Sequence, residues 1–364
     1  SSAAGDKQSA ELYYRLAANN MTTFYGQLGS AALGNMKGSD ARMHLPIEPK
    51  PTPAEKVAFK NLELVHVAKF LQKLDRESQL WTVMLHMADT LVSPQELVQL
   101  ADLALTFNAP KLSLRIAKLA SQRNILLPQR AYPVSNMPNF SAKGLPVEKA
   151  LIYGLSRQES EFDPEARSPV GARGLMQLMP NTAKIVARQI DVPYSKTRLT
   201  TDPAYNAMLG SAHLGDLING YGGSYIMSIA AYNAGSSRIN QWQDQFGDPR
   251  STAIDPIDWI ENIPFSETRN YVQRVMENLE VYRTRLSGSP QKIRLNDDIR
   301  RNTGPAISTP APPRGKVPLA SPLLPVVPVA PIVETMEKTP EIILGEPKSY
   351  AIPLAPTKHK QTKP

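Results

Sequence analysis

The stretch Lys149-Ala-Leu-Ile-Tyr-Gly-Leu-Ser-Arg-Gln-Glu-Ser160 carries a helical stripe of apolar residues formed by Leu151, Ile152 and Leu155. Glu159 comes four residues after Leu155, where the stripe would continue with another apolar side chain. A carboxylate on a buried helix face is costly unless it is paired or has a function. In a partly apolar cleft, desolvation would raise the pKa of Glu159 toward neutrality and make it a proton donor near pH 7.

This helix alone supports two interpretations of Glu159 equally well. One is a catalytic acid, and the other is a structural salt bridge with Arg157 or Arg173. The outcome depends on the three-dimensional surroundings of the carboxyl group, which the helix pattern does not specify.

A second carboxylate does not fall on the same helix face. Glu161 lies two positions further on and points away from Glu159, and Pro164 biases Asp163 out of helical geometry. We therefore expect the three acids that follow Glu159 to be solvated or capping groups: Glu161, Asp163 and Glu165. A lone glutamate argues against the usual two-carboxylate glycosidase and permits a mechanism in which the substrate supplies the nucleophile.

Further motifs follow in order along the next hundred or so residues: Ser168-Pro-Val-Gly171, Gly174-Leu-Met-Gln177, Ala231-Tyr-Asn-Ala-Gly235, and Ile263-Pro-Phe-Ser-Glu-Thr-Arg269 with Tyr271. Together with Arg157-Gln-Glu-Ser160, this ordered set resembles the soluble lytic transglycosylases of bacterial peptidoglycan metabolism, whose catalytic domain has a lysozyme-like fold. The stretch Thr23-Phe-Tyr-Gly-Gln27 resembles the end of the α-superhelical region of that family.

The resemblance implies that Glu159 is the single acid/base catalyst and that no cofactor or metal takes part. It implies substrate-binding roles for seven residues: Ser160, Gln177, Met179, Tyr232, Asn233, Glu267 and Tyr271. The implied substrate is the glycan strand of peptidoglycan, cut at the β-1,4 bond between N-acetylmuramic acid and N-acetylglucosamine to form a 1,6-anhydro sugar. The implied location is the periplasm.

Two alternatives remain open from the sequence. A hydrolase of the goose-lysozyme type would keep the fold and activate water with a carboxylate across the cleft, for which Asp202 and Asp216 are candidates. A non-catalytic glycan-binding or scaffold protein would use the helices and the proline-rich end instead. The five histidines are dispersed along the chain and predict no metal site.

The composition predicts a mainly α-helical chain in three parts. Residues 1–135 read as a short superhelical or solenoid segment, with helical patterns over Ala10–Leu33, Ala54–Leu74, Glu77–Leu91, Ser93–Phe107 and Pro110–Arg123. Residues 136–286 are the predicted lysozyme-like catalytic domain. Residues 287–364 hold 15 of the 33 prolines and are predicted to form a disordered tail.

Charge and composition exclude several classes of protein. The absence of cysteine excludes disulfide scaffolds and cysteine nucleophiles, and no apolar run is long enough to predict a transmembrane helix. The net charge is +8, but +5 of it lies in residues 287–364, so no basic face for nucleic acid is predicted.

The tail could bind a protein partner as polyproline II. The start, Ser-Ser-Ala-Ala-Gly, predicts a mature form or a fragment without its signal sequence.

Overall fold

The computed structural model describes residues 6–302, and these are mainly helical, as the sequence predicts. The elements before the predicted catalytic segment, residues 136–286, are α1 Lys7–Ala18, α2 Phe24–Met36, β1 Arg42–Met43, α3 Pro53–Lys60, α4 Glu63–Lys73, α5 Glu77–Thr90, α6 Pro94–Thr106, α7 Pro110–Gln122 and α8 Pro128–Ala131. Those after it begins are α9 Lys149–Ser160, α10 Pro180–Gln189, α11 Arg198–Thr201, α12 Pro203–Gly220, α13 Tyr225–Ala234, α14 Ser236–Phe246, α15 Pro256–Glu261, α16 Ser266–Ser287, β2 Gln291–Lys292 and α17 Leu295–Ile299.

Two of the predicted N-terminal helical patterns are each divided by a turn. The Ala10–Leu33 pattern becomes α1 and α2 because the hydroxyl of Thr23 accepts a hydrogen bond from the Gly26 amide and starts a new helix. The Ala54–Leu74 pattern becomes α3 and α4, which separate at residues 61 and 62. The other three predicted helices form as α5, α6 and α7, with ends shifted by at most two residues.

Residues 1–135, predicted as one helical region, contribute to two different cores. Helices α3 to α7 share a core that includes Phe59, Val65, Met84, Leu100 and Ile116. The α1–α2 pair packs elsewhere, because α2 lies against α16 and α17 and inserts Phe24 into the core of the catalytic segment. The N-terminal hairpin is therefore part of the support of the site.

The first part of the segment that was predicted to be a disordered tail is folded. Strand β2 pairs antiparallel with β1, and α17 follows with Leu295 and Ile299 buried. Arg283 of α16 holds this segment by an ion pair to Asp298 of α17. Residues 288–302 therefore belong to the folded structure, and the rest of the predicted tail lies outside the described residues. Between residues 6 and 302, no helix is both long and apolar enough to cross a membrane.

Candidate active site

The site lies where α9 meets α16, the longest described helix. A Cβ atom at Gly154 of α9 would lie 3.2 Å from the Asn278 side chain and 3.3 Å from the Val275 carbonyl oxygen of α16. Only glycine allows the two helices to approach this closely without a shift of the neighbouring atoms. Asn278 also donates a hydrogen bond of 3.2 Å to the Gly154 carbonyl, so the crossing point is fixed.

Glu159 lies one residue before the end of α9 and faces Tyr271 of α16. The Tyr271 hydroxyl donates a hydrogen bond of 2.5 Å to Glu159 Oε1. The Glu159 side chain is partly buried, so protein atoms surround it while solvent still reaches it. Burial raises the pKa of Glu159 to about 8; the negative charge of Glu267 also raises it, and the Tyr271 hydrogen bond lowers it. The carboxyl group is therefore largely protonated at pH 7.

The salt bridge left open as an alternative for Glu159 does not form. The guanidinium of Arg157 donates to the Ala131 carbonyl and to Asn278, and it stacks over the Tyr132 ring. No ion pair of Arg173 occurs among the described residues, and its Nε is buried without a hydrogen-bond partner. This interpretation was wrong because Arg157 points into the α9–α16 packing instead of toward the carboxyl group.

The loop at residues 174–177 is attached to three helices around Glu159. Ser160 of α9 donates a hydrogen bond of 2.7 Å to the Leu175 carbonyl, and Tyr232 of α13 donates one of 2.8 Å to the Met176 carbonyl. Asn206 of α12 accepts one of 2.8 Å from the Met176 amide. Burial, followed by the charge of Glu159, raises the pKa of Tyr232 well above its usual value, so Tyr232 lies within electrostatic range of the candidate acid.

Gly174 is required by the path of this loop. Its φ is +75°, and a Cβ atom there would lie 1.9 Å from the Leu199 carbonyl oxygen and 2.4 Å from Asn206 Nδ2. A side chain at this position would push the loop away from α12 and so away from Tyr232.

Gln177 and Met179 are both predicted to bind the substrate, and the structure shows what else each side chain contacts. The Gln177 side-chain amide donates to the carbonyls of Ala166 and Gly174, so its N–H groups stabilise the loop and its oxygen remains for a ligand. Met179 is exposed at the start of α10 and lines a surface cavity of about 270 Å³. Their contact with a sugar stays a prediction.

Asn233 and Glu267 lie where the end of α13 meets the start of α16. Asn233 accepts a hydrogen bond of 2.7 Å from the Thr268 hydroxyl, which joins the two helices. Glu267 is partly buried, and burial raises its pKa. Its charge also acts on Glu159, so it is a carboxylate within electrostatic range of the acid.

The two carboxylates considered for water activation have other surroundings. Asp202 caps α12 through the Tyr205 amide and pairs with Arg198. Burial raises the pKa of Asp216, but Asp216 is not among the groups that act on Glu159. Glu267 is therefore the better candidate for a second carboxylate, although the sequence suggested Asp202 and Asp216.

Glu161, expected to be a solvated or capping group, is the C-cap residue of α9, but its side chain is not solvated. Glu161 is buried and pairs at 2.6 Å with both Arg115 and Lys118 of α7. Asp163 accepts a hydrogen bond from the Glu165 amide, as a capping group does, and also pairs at 2.9 Å with Lys111. Only Glu165 is exposed to solvent. These ion pairs join α7 to the turn that directly follows the candidate catalytic glutamate.

Sequence reasoning missed Asn206, which is fully buried in α12. It donates hydrogen bonds to the Arg173 and Leu199 carbonyls in addition to its bond with Met176. A polar side chain on the inner face of an otherwise apolar helix is the signal that could have identified it. Within the described part of the chain, no group of three or more histidine or acidic side chains could hold a metal ion.

The structure thus brings Glu159 together with Tyr271 and Tyr232 where α9, α13 and α16 meet. Residues 137–254 match the family "Transglycosylase SLT domain" and residues 262–291 match "Soluble lytic transglycosylase helical domain". The family resemblance predicted from the sequence is thus confirmed for the catalytic segment. The helical-domain match falls on α16 and β2, not on the N-terminal helices where we expected the superhelical region.

Individual relatives agree with this family. The chain is 38% identical over 159 residues to the soluble lytic murein transglycosylase of Escherichia coli K12, covering 43% of this chain and 24% of that protein. The crystal structure of the 70 kDa soluble lytic transglycosylase of E. coli superposes with a TM-score of 0.59 and 26% identity, over 78% of this chain and 44% of that one. An inactive mutant of the lytic transglycosylase Slt of Pseudomonas aeruginosa gives 0.59 and 29%, over 80% and 45%.

The chain spans less than half the length of these proteins, and 38% of the length of a Haemophilus influenzae relative with which it shares 33% identity over 236 residues. The likeness therefore concerns only a part of these longer proteins.

Proposed function

We propose that this chain is a lytic transglycosylase that cuts the β-1,4 bond between N-acetylmuramic acid and N-acetylglucosamine of peptidoglycan. The observation that carries the proposal is the Glu159 carboxyl group, which is partly buried, has a pKa of about 8 and accepts a hydrogen bond from Tyr271. With that pKa, the neutral form predominates at pH 7. The names of the relatives, which are murein transglycosylases, support the same substrate class.

The proposed reaction needs one acid that later acts as a base. Because Tyr271 contacts Oε1, the proton is assigned to Oε2 of Glu159 and is transferred to the glycosidic oxygen as the bond to C1 breaks. The positive charge that develops at C1 is stabilised by the N-acetyl group of the substrate. The Glu159 carboxylate then takes the proton of the C6 hydroxyl as O6 bonds to C1, so the 1,6-anhydro ring closes without water.

The surrounding residues support this cycle in distinct ways. The Tyr271 hydrogen bond stabilises the Glu159 carboxylate that exists between the two proton transfers. Ser160 and Tyr232 keep the 174–177 loop in position, and we propose that the Gln177 oxygen and Tyr232 face the sugar. General acid–base catalysis of this kind contributes about 10²–10⁴-fold to the rate.

Hydrolysis in the manner of goose-type lysozyme is the second candidate function, and one observation favours it. Glu267 is a carboxylate within electrostatic range of Glu159 and could activate a water molecule. The names of the relatives, which are lytic transglycosylases, make the transglycosylase reaction the first candidate. Since peptidoglycan lies outside the inner membrane, either reaction would take place in the periplasm. The protein partner suggested for the proline-rich tail stays a prediction.

Mass spectrometry of digested peptidoglycan separates these functions. We expect the unmodified chain to release muropeptides that are lighter than hydrolysis products by one water molecule. Glu159→Gln should abolish release, whereas the matched control Glu165→Gln, which changes an exposed acid nearby, should not. Products that have gained water would support the hydrolase, and an absence of products from the unmodified chain would support the glycan-binding alternative.

A further inference from the structure

Helix α12 turns one stripe of residues toward the candidate active site: Asn206, Gly210 and His213. Their spacing of four and three residues puts them on the same helix face. Asn206 accepts a hydrogen bond from the Met176 amide, and a Cβ atom on Gly210 would lie 2.4 Å from the Met176 sulfur. His213 continues this stripe, and the centre of its ring lies 5.2 Å from the centre of the Tyr232 ring. His213 is therefore part of the same wall of the site as Tyr232.

Tyr232 connects His213 to the proposed reaction centre. Burial, followed by the charge of Glu159, raises the pKa of Tyr232 well above its usual value. Burial and Glu159 also raise the pKa of Tyr271, and Tyr232 adds to this effect. Tyr232 thus contacts His213 directly and lies within electrostatic range of both Glu159 and Tyr271. A sugar residue in contact with the Tyr232 ring therefore comes within reach of the imidazole.

The imidazole of His213 has polar groups that no protein atom uses. Its side chain forms no hydrogen bond and no ion pair within residues 6–302, where its specific contact is the Tyr232 ring. The side chain is partly buried, and solvent reaches the ring nitrogens. Burial lowers the pKa of His213 to about 4, so the ring is neutral at pH 7. A neutral imidazole offers one N–H donor and one nitrogen acceptor, and both remain for a ligand.

Packing alone does not account for a histidine at this position. A phenylalanine would present the same kind of flat ring to Tyr232 without the cost of placing two unpaired polar atoms in a partly buried site. That cost is recovered when a ligand with hydrogen-bonding groups enters. The hydroxyl and acetamido groups of the glycan strand are ligands of this kind.

The other polar member of the stripe has no such groups to offer. The Asn206 amide donates to the carbonyls of Arg173 and Leu199, and its oxygen accepts from Met176. Asn206 therefore builds the loop, whereas His213 is the member of the stripe with a free donor and a free acceptor.

We propose that His213 is a substrate-binding residue, whose ring nitrogens form hydrogen bonds with a hydroxyl or acetamido group of the sugar that contacts Tyr232. The proposal rests on the proposed function, since the ligand is the same glycan strand. Glu159 performs both proton transfers, so the His213 contact exists equally before and during the reaction. Such a contact lowers KM and leaves kcat unchanged.

Two substitutions separate hydrogen bonding from ring packing, with soluble glycan strands freed of their peptides by an amidase as the substrate. His213→Phe keeps a ring against Tyr232 but removes both nitrogens, and we expect it to raise KM about fivefold, as loss of one neutral hydrogen bond predicts. The kcat should stay within about twofold. His213→Gln restores a donor and an acceptor without the ring and should recover part of the loss. If His213 only packs on Tyr232, His213→Phe will match the unmodified chain and His213→Gln will be the weaker variant, which would overturn the proposal.

Direct binding keeps this test independent of cleavage. In the Glu159→Gln chain, which should bind strands without cutting them, adding His213→Phe should raise the Kd for the same strands about fivefold by calorimetry. An unchanged Kd, or a fall in kcat with an unchanged KM, would also overturn the sugar contact. If Glu159→Gln binds strands but the unmodified chain releases no product, the proposed function fails while the effect of His213→Phe on Kd still decides the contact.

His86→Phe is the matched control, because His86 is exposed on α5, outside the core of the catalytic segment. It should leave KM and Kd unchanged. Thermal unfolding of every variant shows whether it is folded, and His213→Gln keeps the test open if His213→Phe is not.

Discussion

Glu159 is kept neutral by its surroundings and not by a second carboxylate that shares its proton. Burial disfavours the charged form, and the charge of Glu267 disfavours it further. The proposed role as an acid requires the proton, so activity should be lost as pH rises through about 8. We expect the alkaline limb of kcat/KM to fall there when rates are measured from pH 5 to 10.

Glu267→Gln should shift this limb. Removing the negative charge makes ionisation of Glu159 easier, so its pKa falls and the limb moves to lower pH. If Glu267 only contacts substrate, KM will change while the position of the limb stays the same. An unchanged limb would therefore show that Glu267 does not tune the acid.

The same raised pKa predicts a cost in stability. The unfolded chain releases the Glu159 proton above about 4.5, whereas the folded chain keeps it to about 8, so folding becomes less favourable across that range. Glu159→Gln removes this cost. We expect it to raise the free energy of unfolding by about 1–3 kcal/mol at pH 8, after allowance for solvent access, and by much less at pH 5. Denaturant titrations at the two pH values check this, and an equal gain at both would contradict it.

Sequence patterns identified Glu159 because helical spacing alone makes a carboxylate conspicuous on an apolar stripe. The same spacing misjudged Glu161, since its two partners lie 43 and 46 residues earlier in the chain. The pattern of one helix shows which face a residue is on, but not what another helix brings to that face. Asn206 escaped notice for the same reason, since two of its three partners are backbone groups 30 and 33 residues earlier in the chain.

At the scale of elements, helix α7 is joined to the end of α9 by the buried Glu161. Burial tends to raise the pKa of Glu161, but the charges of Lys118 and Arg115 outweigh this effect and hold it below its usual value. Glu161 and Phe162 both have positive φ, at 56° and 63°, which costs free energy in residues other than glycine. The ion pairs thus hold a strained turn that directly follows Glu159.

Glu161→Gln should lower the free energy of unfolding by about 1–3 kcal/mol at pH 7, because two cations lose their partner. Since the pKa of Glu161 is lowered in the folded state, this contribution is present above about pH 4.5 and is lost as pH falls through the folded value. Thermal unfolding at pH 7 and pH 3 measures the difference. Glu11→Gln, which breaks the exposed pair with Arg15, is the control and should leave Tm unchanged. An equally small effect at Glu161 would mean that α7 does not support this turn.

At the scale of the whole molecule, the order of the helices along the chain was predictable, but their grouping was not. Proline content, averaged over residues 287–364, hid the apolar residues Ile293, Leu295 and Ile299, which are buried in the core of the catalytic segment. Likewise, the N-terminal hairpin has the same amphipathic pattern as α3 to α7, yet it packs on α16. Composition describes a segment on average, whereas docking depends on a few side chains and on the surface they meet.

Because residues 288–302 are folded onto the rest of the chain, truncation before and truncation after them should differ in their effect on stability. Ending the chain after Ser287 removes β2 and α17, exposes the surface that covers Ile293, Leu295 and Ile299, and deprives Arg283 of Asp298. Burial of these side chains contributes about 1.5–3 kcal/mol each as an upper estimate, so this variant should unfold at a clearly lower temperature. Its loss of stability should also lower turnover of soluble glycan fragments at 37 °C.

Ending the chain after Asn302 keeps β2, α17 and the Arg283–Asp298 pair, so its Tm and turnover should match those of the full chain. Calorimetry of the two truncations beside the full chain measures the difference in Tm. If both truncated chains have the same Tm, residues 288–302 contribute nothing to stability. The domain boundary at residue 287, predicted from the proline content, would then be correct.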